Sequence, residues 1–432
     1  MEKLFKLKAH GTTVRTEVLA GITTFLTMAY ILAVNPGILG DAGMDRSAVF
    51  TATALASAVA SIVMAIAANL PIALAPGMGL NAYFTYGVVL GMGYSWQVAL
   101  SAVFLEGILF ILLSVVNVRE AIVNSVPLNL KRAVAVGIGI FITLIGMRGA
   151  GIIIPSPATT VAMGSVTQGT ALLALIGLVI TAILYALNVH GAILIGILIT
   201  TAIGIPMGIT APAGGWENWK LFSAPSAPLF MQFDFSNILT IKFLVVFFSF
   251  LFVDIFDTVG TLVGVTQQAG LTDKDGNVPR VKQALLADAV GTSFGAMVGT
   301  STVTSYVEST AGVAAGGRTG LTSLTTAGMF LLALFLSPLF LIIPAAATAP
   351  ALIIVGFLMM RPVIGIDFTD PTEGIPAFLT IVMMPFCYSI AEGIVFGVLS
   401  YVILKACTGK YKQIPLVTWV IFAIFILRFI LH

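Results

Sequence analysis

The chain has 432 residues, of which 59% are hydrophobic and only 9% are charged, and its mean hydropathy is +1.08. This composition excludes a soluble globular protein and predicts a polytopic helical protein embedded in a lipid bilayer. The net charge of +2 gives no indication of nucleic acid as a partner. The spacing of the two cysteines, Cys387 and Cys407, matches no metal-binding motif. We therefore expect neither a disulfide framework nor a bound metal or cofactor.

Apolar runs near the roughly 20 residues of a bilayer crossing follow one another along the whole chain. Seven precede the long polar interruption at 208–237, namely 17–34, 48–69, 72–91, 96–116, 131–149, 170–187 and 190–207. Seven follow it, namely 238–265, 283–298, 301–317, 320–343, 347–361, 374–389 and 391–406. A last apolar run at 414–431 is either a fifteenth span or a helix lying against the membrane.

The lysine and arginine residues predict how these runs are oriented. If the N-terminus is cytoplasmic, fourteen crossings leave only four of these residues on the outside, namely Arg46, Arg148, Lys220 and Lys242. This distribution follows the positive-inside rule. If one crossing were added or removed, the lysine and arginine residues would be scattered over both sides of the membrane and the rule would be violated. We therefore expect a multi-pass protein of the cell (inner) membrane with a cytoplasmic N-terminus.

Because seven is an odd number, the second set of runs must start on the opposite side of the membrane, which is the mark of an inverted repeat. The third run, IALAPGMGLNAYFTYG, has a short extended piece ending at Pro76 and then a short helix carrying Asn81. The tenth has the same layout, with an extended piece over Ser301–Val307 and a half-helix beginning near Ser309. Interrupted spans at corresponding positions of two repeats point to the midplane binding site of a transporter.

Carboxylates at membrane depth are predicted to be functional, since a charge at the bilayer centre costs about 2.5 to 3.5 kcal/mol. Glu308 stands just before the half-helix of the tenth run, where we expect unpaired first-turn amides beside it. Asp254 and Asp257 are three residues apart in the eighth run and share one helix face. These three acids would disfavour one another's ionised forms, which suits proton coupling through Asp257, Asp254 and Glu308. Glu106 and Asp288 are interpreted as structural.

Three motifs carry a resemblance to a known family. VDIFDTVGTL from Val253, APGMGLNAYF from Ala75 and SYVESTAG from Ser305 resemble the AzgA-like purine permeases, a branch of the nucleobase-ascorbate transporter superfamily. The resemblance covers nearly the whole chain. It implies an all-α polytopic fold like that of the uracil permeases, with about fourteen transmembrane segments in two inverted seven-segment repeats and short extended strands in broken spans 3 and 10.

The resemblance also implies two domains. The core domain would be formed by spans 1 to 4 and 8 to 11, at 14–116 and 238–343. The gate domain would be formed by spans 5 to 7 and 12 to 14, at 131–207 and 347–408. An extra C-terminal hydrophobic segment would occupy 413–432.

The function that the resemblance implies is proton-coupled import of a purine nucleobase, namely adenine, guanine or hypoxanthine, by a homodimer. Glu308 would bind the base, Asp254 would assist it, Asn81 would contact the base and Asp257 would be essential for transport. If DTVG is instead aligned with the acid-centred motif of the uracil permeases, Asp257 rather than Asp254 corresponds to their substrate-binding carboxylate. Further residues expected to line the substrate are Gly79, Tyr306, Ser309 and Thr310, and aromatic residues that could stack on the base include Tyr30 and Tyr83.

Three other functions would also use polar groups or broken spans at membrane depth. An anion (sulfate-type) transporter on the same fold would use facing half-helix N-termini, but three carboxylates disfavour it. An intramembrane aspartyl protease needs its two aspartates on separate helices, whereas Asp254 and Asp257 share one helix. A channel is disfavoured because paired broken spans imply a ligand that is held and released.

Overall fold

The computed structural model describes residues 2–115, 127–212, 214–236, 238–272 and 278–430. The predicted domain boundary at residue 116 and the last two residues of the segment 413–432 lie outside the described residues. Within them the chain is mostly α-helical, and its strands form two sheets of two strands each. The prediction of an all-α fold with short strands is confirmed.

The first repeat contains the following elements in chain order. They are α1 (Glu2–Phe5), α2 (Val14–Met28), α3 (Ile31–Asp41), α4 (Arg46–Val63) with a π-helical extension (Met64–Ala68), β1 (Leu74–Pro76), α5 (Met78–Ala82) with a π-helical extension (Tyr83–Val89), α6 (Leu90–Met92), α7 (Trp96–Val115), α8 (Leu128–Gly149), β2 (Ile153–Ser156), β3 (Thr160–Met163), α9 (Gly169–Ala186) and α10 (Ala192–Gly204).

The second repeat follows a long connection that carries one 3₁₀ turn (Trp216–Asn218). Its elements are α11 (Ile241–Gln268), α12 (Val281–Val298), β4 (Val303–Ser305), α13 (Ser309–Ala314), α14 (Gly320–Ala333) with a 3₁₀ turn (Leu334–Leu336), α15 (Ser337–Leu341), α16 (Ala345–Leu358), a 3₁₀ turn (Arg361–Gly365), α17 (Pro371–Phe386), α18 (Ile390–Cys407), a 3₁₀ turn (Tyr411–Gln413) and α19 (Leu416–Ile430).

Nine stretches of the described chain are helices long and apolar enough to cross a membrane. The protein is therefore a multi-pass membrane protein. The number of fourteen crossings stays a prediction, because some of the predicted runs form shorter elements, such as Ala192–Gly204. The last helix, Leu416–Ile430, has 15 residues and is shorter than the roughly 20 residues that a crossing requires.

The two broken spans meet as an antiparallel pair of strands at the centre of the fold. Strands β1 and β4 are in register with Leu74 opposite Ser305 and Pro76 opposite Val303. A short helix follows each strand, starting at Met78 in one repeat and at Ser309 in the other. The strand pair satisfies backbone groups that a break in a span leaves unpaired, which is a requirement at membrane depth. The predicted layout of both breaks is confirmed.

The long helices form two groups by their packing. In the first group α2 packs on α14, α4 packs on α12 and α14, and α7 packs on α12. In the second group α8 packs on α16 and α17, α17 packs on α18, and α9 packs on α10 and α16. The first group consists of spans assigned to the predicted core domain, and the second of spans assigned to the predicted gate domain. That these groups act as separate domains stays a prediction.

A buried carboxylate that sequence reasoning did not single out connects three segments of the first group. Glu17 in α2 is fully buried, and its carboxylate accepts hydrogen bonds from the backbone N–H groups of Arg318, Thr319 and Thr322 at 2.9, 3.3 and 3.2 Å. The Thr322 hydroxyl adds a fourth bond of 2.6 Å. Glu17 thus caps the N-terminus of α14 from another span, although the Thr322 N–H also lies 3.2 Å from the carbonyl oxygen of Thr319.

Candidate substrate site

Glu308 lies at the junction between β4 and α13, where the extended backbone of the tenth span turns into a helix. It occupies the N-cap position of α13, but its side chain makes no capping hydrogen bond. Its Oε1 atom instead accepts a 2.5 Å hydrogen bond from the hydroxyl of Tyr30. Residue Glu308 is partly accessible, whereas Tyr30 is 1% exposed. Because a carboxylate offers about four acceptor positions, Glu308 keeps acceptors for a ligand.

Tyr30 reaches this position because the first span is interrupted. Helix α2 ends at Met28, and α3 begins at Ile31 with Tyr30 at its N-cap. The Thr27 hydroxyl, on the preceding turn, is 3.3 Å from the Glu308 carbonyl oxygen. The first span therefore holds the side chain of Glu308 and also contacts its backbone, while the Thr27 hydroxyl lies closer, at 2.8 Å, to the carbonyl oxygen of Thr24. Sequence reasoning assigned Tyr30 only as a stacking residue, because its hydroxyl does not stand out in a run that also contains Thr23, Thr24 and Thr27.

Asp257 faces the same region from α11. It is partly accessible, its carboxylate interacts with the hydroxyl of Thr304, and it lies within electrostatic range of Glu308 and Asp288. Thr304 is the central residue of strand β4. The structure thus brings Asp257 and Glu308 to one site, with Thr304 between the helix and the broken span.

Tyr306 connects the two broken spans. Its hydroxyl donates a 2.6 Å hydrogen bond to the carbonyl oxygen of Pro76, and its backbone N–H donates a 3.0 Å bond to the carbonyl oxygen of Ala73. The residue is 5% exposed and lies within electrostatic range of Glu308 and Asp257. Tyr306 is therefore at the predicted site, with its hydroxyl already engaged by the backbone.

Asp254 occupies a different environment from Asp257, although both are on α11. It is fully buried, and its Oδ1 atom is 3.4 Å from the hydroxyl oxygen of Thr258. The same hydroxyl donates a 2.7 Å hydrogen bond to Asp288 on α12. The structure therefore gives Asp288 a partner that sequence reasoning did not identify. Asp254 belongs to this buried cluster with Thr258.

Asn81 and Gly79 lie on α5, on the other side of the strand pair. Asn81 is fully buried, and its Oδ1 atom accepts a hydrogen bond from the hydroxyl of Ser301. Its Nδ2 atom has no hydrogen-bond partner among the described residues. Gly79 packs against α8, since a Cβ atom placed there would lie 2.6 Å from Cγ2 of Ile138.

Ser309 and Thr310 are tied to the backbone. The Ser309 hydroxyl accepts a 3.0 Å hydrogen bond from the N–H of Ala73, and the Thr310 hydroxyl donates a 2.8 Å bond to the carbonyl oxygen of Val307. Ser309 is buried and Thr310 is partly accessible. The contribution of either residue to substrate binding stays a prediction.

The expectation of unpaired amides at the start of α13 is wrong. The N–H groups of Ser309, Thr310 and Ala311 donate to the carbonyl oxygens three residues earlier, at 3.1, 3.0 and 3.0 Å. The first turn is therefore tightened into i to i−3 bonds, which is common at helix ends. The polar group that α13 offers at this position is the Glu308 carboxylate.

Comparison with known proteins identifies the family. The profile of the permease family Xan_ur_permease matches residues 15–396. The adenine permease AdeP of Escherichia coli (strain K12) is 45% identical over 432 residues, which cover 100% of this chain and 96% of that protein. The guanine/hypoxanthine permease PbuG of Bacillus subtilis (strain 168) is 47% identical over 442 residues, which cover 100% of this chain and 99% of that protein.

The fold has a counterpart among solved structures. The transmembrane domain of the cyanobacterium bicarbonate transporter BicA superposes with a TM-score of 0.65 and covers 89% of this chain and 97% of that one. At 16% identity this likeness shows the fold alone. The resemblance drawn from the three motifs is confirmed by the family profile and by relatives that are named permeases. The chain belongs to the permease family Xan_ur_permease and is a multi-pass membrane transport protein.

Proposed function

We propose that the protein imports the purine nucleobases adenine, guanine or hypoxanthine across the cell membrane. The observation that carries this proposal is the Glu308 carboxylate, which is oriented by Tyr30 and partly accessible at the break of the tenth span. The relatives AdeP and PbuG, which match along the whole chain, are named as adenine and guanine/hypoxanthine permeases. A carboxylate accepts the N–H groups on the edge of a purine ring, and such charge-assisted bonds are strong.

In this proposal the acids have separate roles. Glu308 accepts the N–H groups of the base, and Tyr306 contributes a ring beside it. Asp257, with Thr304, carries the coupled proton, because it is partly accessible and within electrostatic range of Glu308. Asp254 supports the site from the buried cluster with Thr258.

The other predicted residues shape the site. The Nδ2 group of Asn81 is a donor with no partner among the described residues, so a ring nitrogen or carbonyl oxygen of the base would satisfy it. Gly79 keeps α5 close to α8, and Ser309 and Thr310 fix the backbone around Glu308.

Transport would proceed by alternating access, with protons driving uptake. The core domain (14–116 and 238–343) would move against the gate domain (131–207 and 347–408) and carry Glu308 past a fixed barrier. The two packing groups of helices support this division. The N-terminus would be cytoplasmic, as the positive-inside distribution indicates, and two copies would associate as a homodimer in the membrane.

An anion transporter is the second candidate, because BicA, a bicarbonate transporter, has the same fold. Two features of the site oppose it. Glu308 and Asp257 together would repel an anion, and the first-turn amides of α13 already bond to backbone carbonyl oxygens. The geometry therefore favours a neutral ligand with N–H donors.

The test is uptake of labelled adenine, guanine, hypoxanthine, uracil and bicarbonate by cells that lack their own permeases, with and without a proton uncoupler. Wild type is expected to take up a purine only while the proton gradient is intact. The uptake rate of Glu308→Ala is expected to be at least about tenfold lower than that of wild type. Glu217→Ala is the matched control, because Glu217 is exposed in the long connection. Wild type that reaches the membrane yet transports no purine would exclude this function, and bicarbonate uptake would support the second candidate.

A further inference from the structure

Four polar or aromatic side chains meet at one end of the molecule, namely Asp41, Tyr86, Arg148 and Tyr388. We call this cluster the outer latch. The Tyr86 hydroxyl donates a 2.7 Å hydrogen bond to Oδ2 of Asp41. The rings of Tyr86 and Tyr388 pack edge to face with their centroids 6.0 Å apart. The Cζ atom of Arg148 lies 5.1 Å from the centroid of the Tyr388 ring, within range of a cation–π contact.

The outer latch joins the two packing groups of helices. Asp41 is the last residue of α3, which packs on α4 of the first group. Tyr86 lies in the π-helical extension of α5, which contacts α7 of the same group. Arg148 is near the end of α8, and Tyr388 lies in the turn between α17 and α18 of the second group. With a cytoplasmic N-terminus, all four residues are at the outer ends of their spans.

The backbone and the neighbours of Tyr388 fix the position of its ring. Its φ is +52°, in the left-handed region that bulky residues seldom adopt, because the Cβ atom crowds the following carbonyl oxygen. Its ring is held on a second side by Phe141 of α8, with centroids 5.3 Å apart. The left-handed residue ends α17 in a Schellman motif, in which the Ser389 N–H donates to the Met384 carbonyl oxygen and the Tyr388 N–H donates to that of Pro385.

Below the outer latch the same two groups are in close contact. Gly79 of α5 is so near α8 that a Cβ atom would lie 2.6 Å from Ile138, and Ile138 is 3% exposed. This contact lies on the helix that carries Asn81, near the strand pair. A cleft opening between the groups from the outer end would have to separate the outer latch first and would then expose Ile138.

We propose that the outer latch closes the outer entrance to the Glu308 site and separates each time that entrance opens. This inference rests on the proposed alternating access. Of the latch contacts, the edge-to-face pair of Tyr86 and Tyr388 is the one that crosses between the groups, whereas Asp41 and Arg148 hold these two rings from their own sides. A single edge-to-face aromatic contact is weak, so the latch can break and re-form reversibly during transport.

The test is the reactivity of a cysteine placed under the latch. Ile138→Cys, in a background with Cys387→Ser and Cys407→Ser, is labelled with a membrane-impermeant maleimide on whole cells and, separately, on inside-out vesicles. Adding Tyr388→Ala is expected to raise the labelling rate on whole cells at least about fivefold. The labelling rate in inside-out vesicles should not increase. Phe386→Ala is the matched control, since Phe386 is 82% exposed at the end of α17, two residues before Tyr388, and it should leave both rates unchanged.

Further variants test the latch in case Tyr388→Ala does not fold. Arg148→Gln leaves the strained backbone of Tyr388 intact and should raise labelling in the same direction, while Tyr388→Phe keeps the ring and should have a smaller effect than Tyr388→Ala. Unchanged labelling in Tyr388→Ala and Arg148→Gln, with both proteins at the cell surface, would overturn the latch. Labelling needs no purine, so a wild type that transports no purine would refute the proposed substrate without refuting the latch.

Discussion

The Tyr30 hydroxyl donates a 2.5 Å hydrogen bond to Oε1 of Glu308, across 278 positions of the chain. The donor stands in the interruption of the first span and the acceptor in the break of the tenth. Because the bond joins a hydroxyl that is buried to a carboxylate that is partly accessible, it fixes the orientation of Glu308 while leaving one side of it open. The carboxylate is thereby set in place before a ligand arrives.

Removal of that hydroxyl should impair transport more than folding. We expect Tyr30→Phe to reach the membrane and melt near the wild-type temperature, since the ring still fills its buried position. Hydrogen bonds to charged groups contribute about 1.5–3 kcal/mol, so the affinity for purine should fall by roughly tenfold or more. The concentration dependence of purine uptake measures this change. Tyr185→Phe, which alters a hydroxyl on α9 near Arg361, is the control, and an unchanged affinity in Tyr30→Phe would refute the orienting role.

The half-helix α13 should not tolerate a methyl group on the side that faces the first span. A Cβ atom at Gly312 would lie 2.7 Å from the backbone carbonyl oxygen of Ala20, which cannot move without shifting α2. We expect Gly312→Ala to cost about 1–3 kcal/mol of stability and to reduce uptake. Gly328→Ala is the matched control, because its Cβ would meet nothing within 4 Å, and it should be neutral or slightly stabilising. Equal melting temperatures in detergent for the two variants would contradict the packing account.

Glu17 should be a major determinant of stability, although it is remote from the ligand. Glu17→Gln removes the charge and places an amide against N–H donors of α14, so buried donors lose their acceptor. We expect the free energy of unfolding to fall by about 2–3 kcal/mol, which lowers the melting temperature. Uptake should fall in proportion to the amount of folded protein. Glu217→Gln, on an exposed connection, should be neutral. A Glu17→Gln variant as stable as wild type would exclude the capping role.

The start of α17 and the segment after α18 should contribute stability that depends on pH. Lys410, whose Nζ atom lies 2.7 Å from Oδ2 of Asp370, holds the pKa of that carboxyl well below its usual range, and hydrogen bonds from Thr372 lower this pKa further. Because the unfolded carboxyl has a pKa of about 3.9, this stabilisation is complete above roughly pH 4 and is lost as the pH falls through the lower folded value.

The corresponding variant is Lys410→Met, which should raise the pKa of Asp370 and lower the melting temperature at pH 7. The difference from wild type should shrink as the pH is lowered below about 4. Lys412→Met is the control, since Lys412 is exposed two positions further along the chain and is expected to change little. A difference that stays constant between pH 7 and pH 3 would show that the Asp370 pair is not its source.

Local features of the sequence were enough to predict the broken spans. Pro76 and the hydroxyl-rich stretch before Glu308 disfavour helix, and the strands β1 and β4 form at those places. Local features also singled out Glu308 and Asp257 as candidates, because a carboxylate in an apolar run is costly wherever it is placed, and their role in binding stays a prediction.

Contacts between distant spans could not be predicted in this way. The hydrogen bond from Tyr30 and the cap formed by Glu17 each join residues more than 270 positions apart, and no local pattern specifies them. The unpaired amides expected at Ser309 were wrong for a related reason. The tightening of that first turn depends on the backbone path out of β4, which residue types alone do not determine.

The most direct test of the account is equilibrium binding of adenine, guanine and hypoxanthine to the purified protein in detergent, comparing wild type with Glu308→Gln. Glutamine keeps the size of the side chain and removes its charge, so the loss of a charge-assisted acceptor should weaken binding at least about tenfold. Glu217→Gln should bind as wild type does. If Glu308→Gln binds a purine with unchanged affinity, Glu308 is not the residue that recognises the base, and the site proposed here is wrong.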